Sequence, residues 1–227
     1  MLILALDTTS RKGSLALARD GAVLESLSVD APDGFGQIIF QHIDALLKRH
    51  AVTLAGIDCY AAASGPGSFT GIRVGLTAVK AFAEVHRKPV VAVSNLLALA
   101  ALAEGRYRAP VLDARRGEVF AAVYDEHLRA VVEEAAVAWP AFLQSIAGRE
   151  VALIGLDAAI FEPGGAAEAP AGQSSATRFS VATEPLAAAI ARIAAERHAR
   201  GETLLPETAD ANYVRRTDAE LKWKDPA

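Results

Sequence analysis

One order of predicted elements occurs twice along the chain, and this constrains the fold more than any single motif. In the first half, apolar Leu2 to Leu6 reads as a strand ending at Asp7. A polar turn from Thr8 to Gly13 leads to a second apolar stretch, Ser14 to Ala18. Asp20-Gly21 is a hairpin signal, because both central residues of a type I′ turn need positive φ. A third strand runs from Ala22 to Val29 and a loop from Pro32 to Gly36. Ile38, Ile39, His42, Ile43, Leu46 and Leu47 then recur at helical spacing, predicting a helix over Gln37 to His50. A buried strand over Ile57 to Ala63, a glycine-rich loop over Ser64 to Gly71 and a helix over Ile72 to His86 follow. Lys88-Pro89 breaks that helix; Val90 to Val93 is a short strand, and Asn95 to Glu104 is helical. The order is three strands, helix, strand, helix, strand, helix.

The second half repeats it. Pro110 to Asp113 again ends in Leu-Asp, and Ala114 to Gly117 is a turn. Glu118 to Tyr124 and Ala130 to Glu134 read as strands, Trp139 to Ala147 as a helix, and Val151 to Ile154 as a strand. Phe179 to Val181 is a short apolar run, and Thr183-Glu184-Pro185 opens a last helix stopped by Gly201. Residues 162–176 read as a Gly/Ala/Pro/Ser-rich surface loop, and the polar stretch 212–224 either docks on the body or stays free. The expected fold is α/β, with two lobes that each carry a mixed sheet and helices. Each half resembles the ribonuclease H-like half-fold. Two in tandem resemble the superfamily of actin, sugar kinases and heat-shock ATPases. The lobes are expected at 1–105 and 106–227, the second less regular.

Composition narrows the class. The chain has 227 residues, 52% hydrophobic and 22% charged, with a net charge of −4. An acidic chain is a poor solitary grip on nucleic acid, which draws on basic patches. The single cysteine, Cys59, lies in an apolar run and reads as a core residue. The apolar start is stopped by Asp7 and lacks a basic leader, and no apolar run is long enough to cross a bilayer. The expected location is cytoplasmic, without a membrane contact.

The stretch Ser64-Gly65-Pro66-Gly67-Ser68-Phe69-Thr70-Gly71-Ile72-Arg73-Val74-Gly75 lies where a strand gives way to a helix, the place where ligands of open α/β sheets collect. Glycines there let backbones approach closely. Ser68 or Thr70 can cap the helix, and Arg73 can add a charge-assisted bond. The spacing fails the Walker A loop, the dinucleotide fingerprint and the hydrolase elbow. A purely structural role, a tight turn and a close helix contact through Gly71 and Gly75, stands beside the ligand reading. Asp7 ends its strand and is placed to bond the turn at Thr8 and Thr9.

This stretch closely resembles the signature of the TsaB family, older name YeaZ. So do Leu4-Ala5-Leu6-Asp7-Thr8-Thr9, the second-lobe start Leu112-Asp113-Ala114-Arg115-Arg116-Gly117-Glu118-Val119-Phe120, and Tyr213-Val214-Arg215 near the C-terminus. These anchors span nearly the whole chain in order. The pattern departs at Asp33-Gly34-Phe35-Gly36 and at Gly155-Leu156-Asp157. The resemblance implies a non-catalytic subunit of the machinery that makes threonylcarbamoyladenosine in tRNA. It would pair with a TsaD-like catalytic subunit and a TsaE-like ATPase and reach tRNA only through the complex; for the free chain, monomer and homodimer both stay open.

The catalytic relative holds a metal through a His-x-x-x-His pair. Here His42, His50, His86, His127 and His198 include no two that stand four apart. A two-metal nuclease needs several acids, and only Asp7 stands at a suitable strand end. Ser64 and Ser68 lack a His-Asp set. Gly164-Gly165 is the candidate for a kinase-type adenosine turn, but no strand leads into it. The expectation is no catalytic residue, no metal and no tightly held cofactor, with ATP or ADP at a shared site of the complex. The alternative is a phosphotransferase of the sugar-kinase or acetate-kinase type; a third reading is a homodimeric interaction module. The nucleotide- or partner-site candidates are Asp7, Thr8, Thr9, Ser64, Gly65, Pro66, Gly67, Ser68, Phe69, Thr70, Gly71 and Arg73. The subunit-interface candidates on the first two helices are Ile39, Ile43, Leu46, Leu76, Val79 and Ala83.

Overall fold

Strand β1, Leu2–Asp7, is apolar on both sides of its pleat and is buried from Ile3 onward. Such a strand belongs in the middle of a sheet covered on both faces. A computed structural model, which describes residues 1–161 and 178–215, places it there. β2 (Lys12–Arg19) and β3 (Ala22–Asp30) form an antiparallel meander with it, and β4 (Cys59–Gly65) and β5 (Val90–Ser94) add in parallel. The order is β3-β2-β1-β4-β5. Asp20 and Gly21 between β2 and β3 have φ of 50° and 82°, as the hairpin signal required.

The second sheet holds β6 (Tyr107–Arg115), β7 (Glu118–Asp125), β8 (Ala130–Ala138), β9 (Val151–Gly155) and β10 (Arg178–Val181). Its order, β10-β9-β6-β7-β8, reproduces the first sheet strand for strand: antiparallel meander, then two parallel additions. The repeat read from the sequence is therefore a repeat of topology, and the fold is α/β of the two-lobed ribonuclease H-like, actin-like kind.

The helices do not divide where the strands do. α1 (Ile39–Arg49) and α2 (Phe69–His86) cover one face of the first sheet, packing on Leu4, Leu6, Leu15 and Leu17. Its other face, with Ile3, Ala5, Ala16, Ala18 and Ala61, is covered by α5 (Leu186–Ala199) from the far end of the chain. Alanines on both sides let helix and sheet approach closely. α3 (Asn95–Ala100), from the first half, packs Leu96 and Ala100 on Ala122 and Tyr124 of β7. α4 (Trp139–Ser145) covers the other face of the second sheet. The division at residue 105 thus separates the strands but not the helices: α3 and α5 are exchanged. α3 is also shorter than the helix expected through Glu104.

The six interface candidates need correction. Ile39, Ile43, Leu46, Leu76, Val79 and Ala83 are all at most 5% exposed, inside the core between the two helices and the sheet. A five-stranded sheet face takes up a wide apolar stripe from each helix, leaving none of these side chains for a partner. Cys59 is fully buried, and burial pushes its thiol up to about 12, consistent with an inert core residue. Among the described residues no helix is long and apolar enough to cross a membrane. The loop 162–176, with Gly164-Gly165, and the end of the 212–224 stretch lie outside the described residues.

Candidate functional site

β1 and β4 are adjacent and parallel, so the turn after Asp7 and the loop after Ser64 leave the same edge of the sheet side by side. The sequence then locks one to the other. Ser68 caps α2 by accepting from the Gly71 amide at 3.2 Å, so the helix begins at Phe69, three residues before the apolar pattern suggested. The Ser68 amide donates to the Thr9 carbonyl at 2.7 Å, and the Thr8 hydroxyl donates to the Gly71 carbonyl at 2.7 Å. A Cβ on Gly71 would lie 2.0 Å from the Thr8 carbonyl oxygen; one on Gly75 would lie 2.6 Å from the Thr8 hydroxyl; one on Gly67 would lie 2.8 Å from Thr9. These glycines are required by close packing of the helix start on the β1 turn.

Beneath this contact runs a buried polar chain. The Asp7 carboxylate accepts from the Thr9 amide at 3.0 Å and from its hydroxyl at 2.6 Å. The Thr9 hydroxyl accepts from the Asn95 side chain at 2.5 Å, and Asn95 accepts from the Gly65 amide at 2.9 Å. Asp7, Thr8, Thr9, Ser64 and Asn95 are all at most 4% exposed. The Gly65-Pro66 bond within the loop is cis. Burial drives the Asp7 carboxyl above its ordinary range, and the two bonds from Thr9 oppose that rise.

This gives a first prediction. Asn at position 7 can accept both Thr9 bonds through its side-chain oxygen and carries no charge to desolvate. Because the folded-state pKa of Asp7 is raised, the cost of its charge is felt above that pKa and vanishes as pH falls through the unfolded value. Relative to the native protein, Asp7→Asn should therefore be most favoured at neutral pH, with Tm compared across pH. This relative advantage should shrink steadily toward pH 4 in a calorimetric titration. A difference from the native protein that is the same at every pH would contradict a charged, desolvated Asp7.

Above the buried chain the site turns outward. Phe69 is 42% exposed and so does not fill its own lobe's core. The Arg73 guanidinium lies 3.7 Å from the Phe69 ring centroid, and its Nε donates to the Tyr213 hydroxyl at 3.2 Å. The Tyr213 ring sits 5.5 Å from that of Phe69. Cation and rings form one exposed platform at the start of α2. Thr70 is exposed beside it.

The sequence candidates are thus brought together, in two tiers. Asp7, Thr8, Thr9, Ser64, Gly65, Pro66, Gly67, Ser68 and Gly71 make the packed base; Phe69, Thr70 and Arg73 make the rim. Two further residues are not among the sequence candidates: Asn95, and Glu134, which accepts from the Tyr124 hydroxyl and from the Asn212 side chain at 2.6 Å each. Ser94-Asn95 at the end of a parallel strand was the available signal for Asn95; nothing in the run Val131-Val132-Glu133-Glu134 distinguishes Glu134 from a solvated strand residue. Among the described residues no group of three or more His, Cys, Asp or Glu is placed to hold a metal ion. The base offers packing and internal hydrogen bonds, among them that of the Thr9 hydroxyl to the Asp7 carboxylate, and the rim offers surface.

Comparison with known proteins adds an independent line. The family model described as "TsaD: tRNA N6-adenosine threonylcarbamoyltransferase" matches residues 30–219. The "tRNA threonylcarbamoyladenosine biosynthesis protein TsaB" of Escherichia coli is 34% identical over 131 residues, 55% of either chain. The chain thus spans about half the length of the curated relatives it matches. Among solved structures, "YeaZ from Pseudomonas aeruginosa" superposes with a TM-score of 0.75 at 28% identity, covering 93% of this chain and 99% of that one. A second Pseudomonas aeruginosa structure, described as similar to peptidase YeaZ, gives 0.78 at 27%, covering 94% and 99%. With the glycine loop, the duplicated topology and these relatives in agreement, the chain belongs to the TsaB (YeaZ) family, within the wider group that the TsaD model describes.

Proposed function

We propose that this chain is a non-catalytic subunit in tRNA threonylcarbamoyladenosine biosynthesis, acting beside a TsaD-like catalytic subunit and a TsaE-like ATPase. The observation that carries the reading is how the signature stretch is used. Its Ser68 amide and Gly71 carbonyl bond the β1 turn and fasten α2 to it, the Ser68 side chain caps α2, and a surface of rings and a guanidinium faces outward. Such a site supports a neighbour better than it performs a reaction. The pathway follows from the TsaB relatives of Escherichia coli and Bacillus subtilis, which are tRNA threonylcarbamoyladenosine biosynthesis proteins.

The partner-facing surface in this reading is the outer side of α1 and α2. Phe40 is 53% exposed, with its ring edge-on to Phe82 at 6.0 Å, and Val85, one turn beyond Phe82, is 75% exposed. These replace the six buried candidates. The same face serves self-pairing when the partner is absent, so the two associations compete. Nucleotide, where it is needed, belongs to a site shared in the complex, and tRNA is reached through the complex.

The test is direct. Incubated alone with threonylcarbamoyl-adenylate and unmodified tRNA, the chain should yield no modified nucleoside; with the catalytic and ATPase partners it should yield product. Robust product from the lone chain would sink the proposal, as would phosphoryl transfer from ATP to a small acceptor by the lone chain.

A further inference from the structure

The last described segment, Ala209 to Arg215, lies across the carboxyl end of β4 like a bound peptide. Lys80 donates to the Ala209 carbonyl at 2.8 Å. The Asn212 amide donates to the Ser64 carbonyl at 2.7 Å, and the Asn212 side chain donates to Glu134 at 2.6 Å. Tyr213 takes its place on Phe69 and Arg73. Arg215 donates to the Ala114 carbonyl at 2.8 Å and pairs with Glu118. The first lobe thus supplies Ser64, Phe69 and Arg73, and the second supplies Ala114, Glu118 and Glu134.

Two details indicate that this seat is built. Gly65, at φ 109°, has no room for a Cβ, which would lie 2.9 Å from the Asn212 carbonyl oxygen and equally close to Ile72. Glu134 is prepared independently of the segment, accepting from Ser94 of the first sheet and from Tyr124, at 2.6 Å, of the second. Burial and the Glu134 charge raise the Tyr124 hydroxyl well above its ordinary range, so it stays a donor. Glu134 therefore faces the strap with one oxygen committed to holding an amide donor.

We propose that this face is a groove for an extended Asn-Tyr-x-Arg segment, filled in cis by the chain's own residues 212–215. Each recognition element has a chemical counterpart: a carboxylate for the amide, a carbonyl for the backbone N–H, a ring and guanidinium for the aromatic side chain, and a carbonyl with a carboxylate for the arginine. Tethering gives the segment a high effective concentration, so an outside ligand of the same chemistry must displace it. The groove is self-occupied, and vacating it is the condition for access to the end of β4. This inference does not depend on the pathway proposed above.

The full-length chain carrying Asn212→Ala, Tyr213→Ala and Arg215→Ala together is the test protein. The probe is a synthetic peptide of residues 208–215. The variant should bind it at least roughly tenfold more tightly than the native chain, whose groove is occupied. The same peptide with Ala for Asn212, or a variant that adds Glu134→Ala, should lose that binding. Hydrogen exchange at β1 and β4 reports whether the variant keeps its fold; if it does not, Asn212→Ala alone is used, with the same expectation in direction. A folded variant that binds the peptide no better than the native chain, or binds the altered peptide equally well, overturns the groove.

Discussion

Gly71→Ala should be among the most damaging single-methyl changes possible in this chain. In an isolated helix the substitution would stabilise by about 1 kcal/mol, because alanine loses less backbone freedom than glycine. Here the added Cβ would lie 2.0 Å from the Thr8 carbonyl oxygen and 3.2 Å from the Thr9 Cα. Both are backbone atoms, so no side chain can swing aside. The helix start must lift from the β1 turn. That breaks the bond from the Thr8 hydroxyl and the one from the Ser68 amide, and disturbs the buried Asp7–Thr9–Asn95 chain. Overpacking together with lost buried hydrogen bonds costs about 3 kcal/mol or more, which lowers Tm by about 6–12 °C at this size. Gly36→Ala is the control: nothing lies within 4 Å of its Cβ position, so Tm should stay within about 1 °C. Gly71→Ala melting with the native protein would mean that the contact with Thr8 is not maintained.

That contact also shows how far the sequence could be read. The strands and most helices were legible because apolar spacing and turn residues are local signals: Asp20-Gly21 forms its hairpin, and the second half repeats the first. The glycine stretch was legible as a place but ambiguous in role, because spacing alone cannot tell a glycine that admits a ligand from one that admits a carbonyl. Only the neighbouring turn decides, and it lies more than sixty residues away in sequence, as the Thr8–Gly71 bond shows. The exchange of α3 and α5 between the sheets was not legible for a related reason. An alanine-rich helix such as Leu186–Ala199 is buried almost all round, so its pattern does not say which sheet it covers. Glu134 gave no signal because its three partners come from Ser94, Tyr124 and Asn212, each from a different element. The apolar stripes of α1 and α2 are legible but their neighbour is not, since a stripe facing a sheet and one facing another subunit share the same spacing.

The last distinction can be measured. Val79→Glu places a carboxylate at a fully buried position of α2, against the first sheet. Such a charge must stay protonated or expel the helix, so this variant should lose its fold, whatever it binds. Phe40→Glu and Val85→Glu place the same charge on side chains that are already 53% and 75% exposed. They should melt within about 1 °C of the native protein, since exposed positions tolerate polar change. If the outer side of α1 and α2 meets the catalytic partner, however, Phe40 is the kind of large aromatic anchor on which binding energy concentrates. A carboxylate there would be desolvated against apolar atoms. Losing an anchor worth 2 kcal/mol or more weakens the pairing by about thirtyfold or more, and the double variant should show no stable complex at micromolar concentration. Titration calorimetry with the catalytic partner measures the first effect, and sizing chromatography of the lone chain measures the loss of any self-pairing. Native affinity in a folded Phe40→Glu, Val85→Glu double variant would move the interface to another face, and the exposed Phe69–Arg73–Tyr213 platform would be the next surface to challenge.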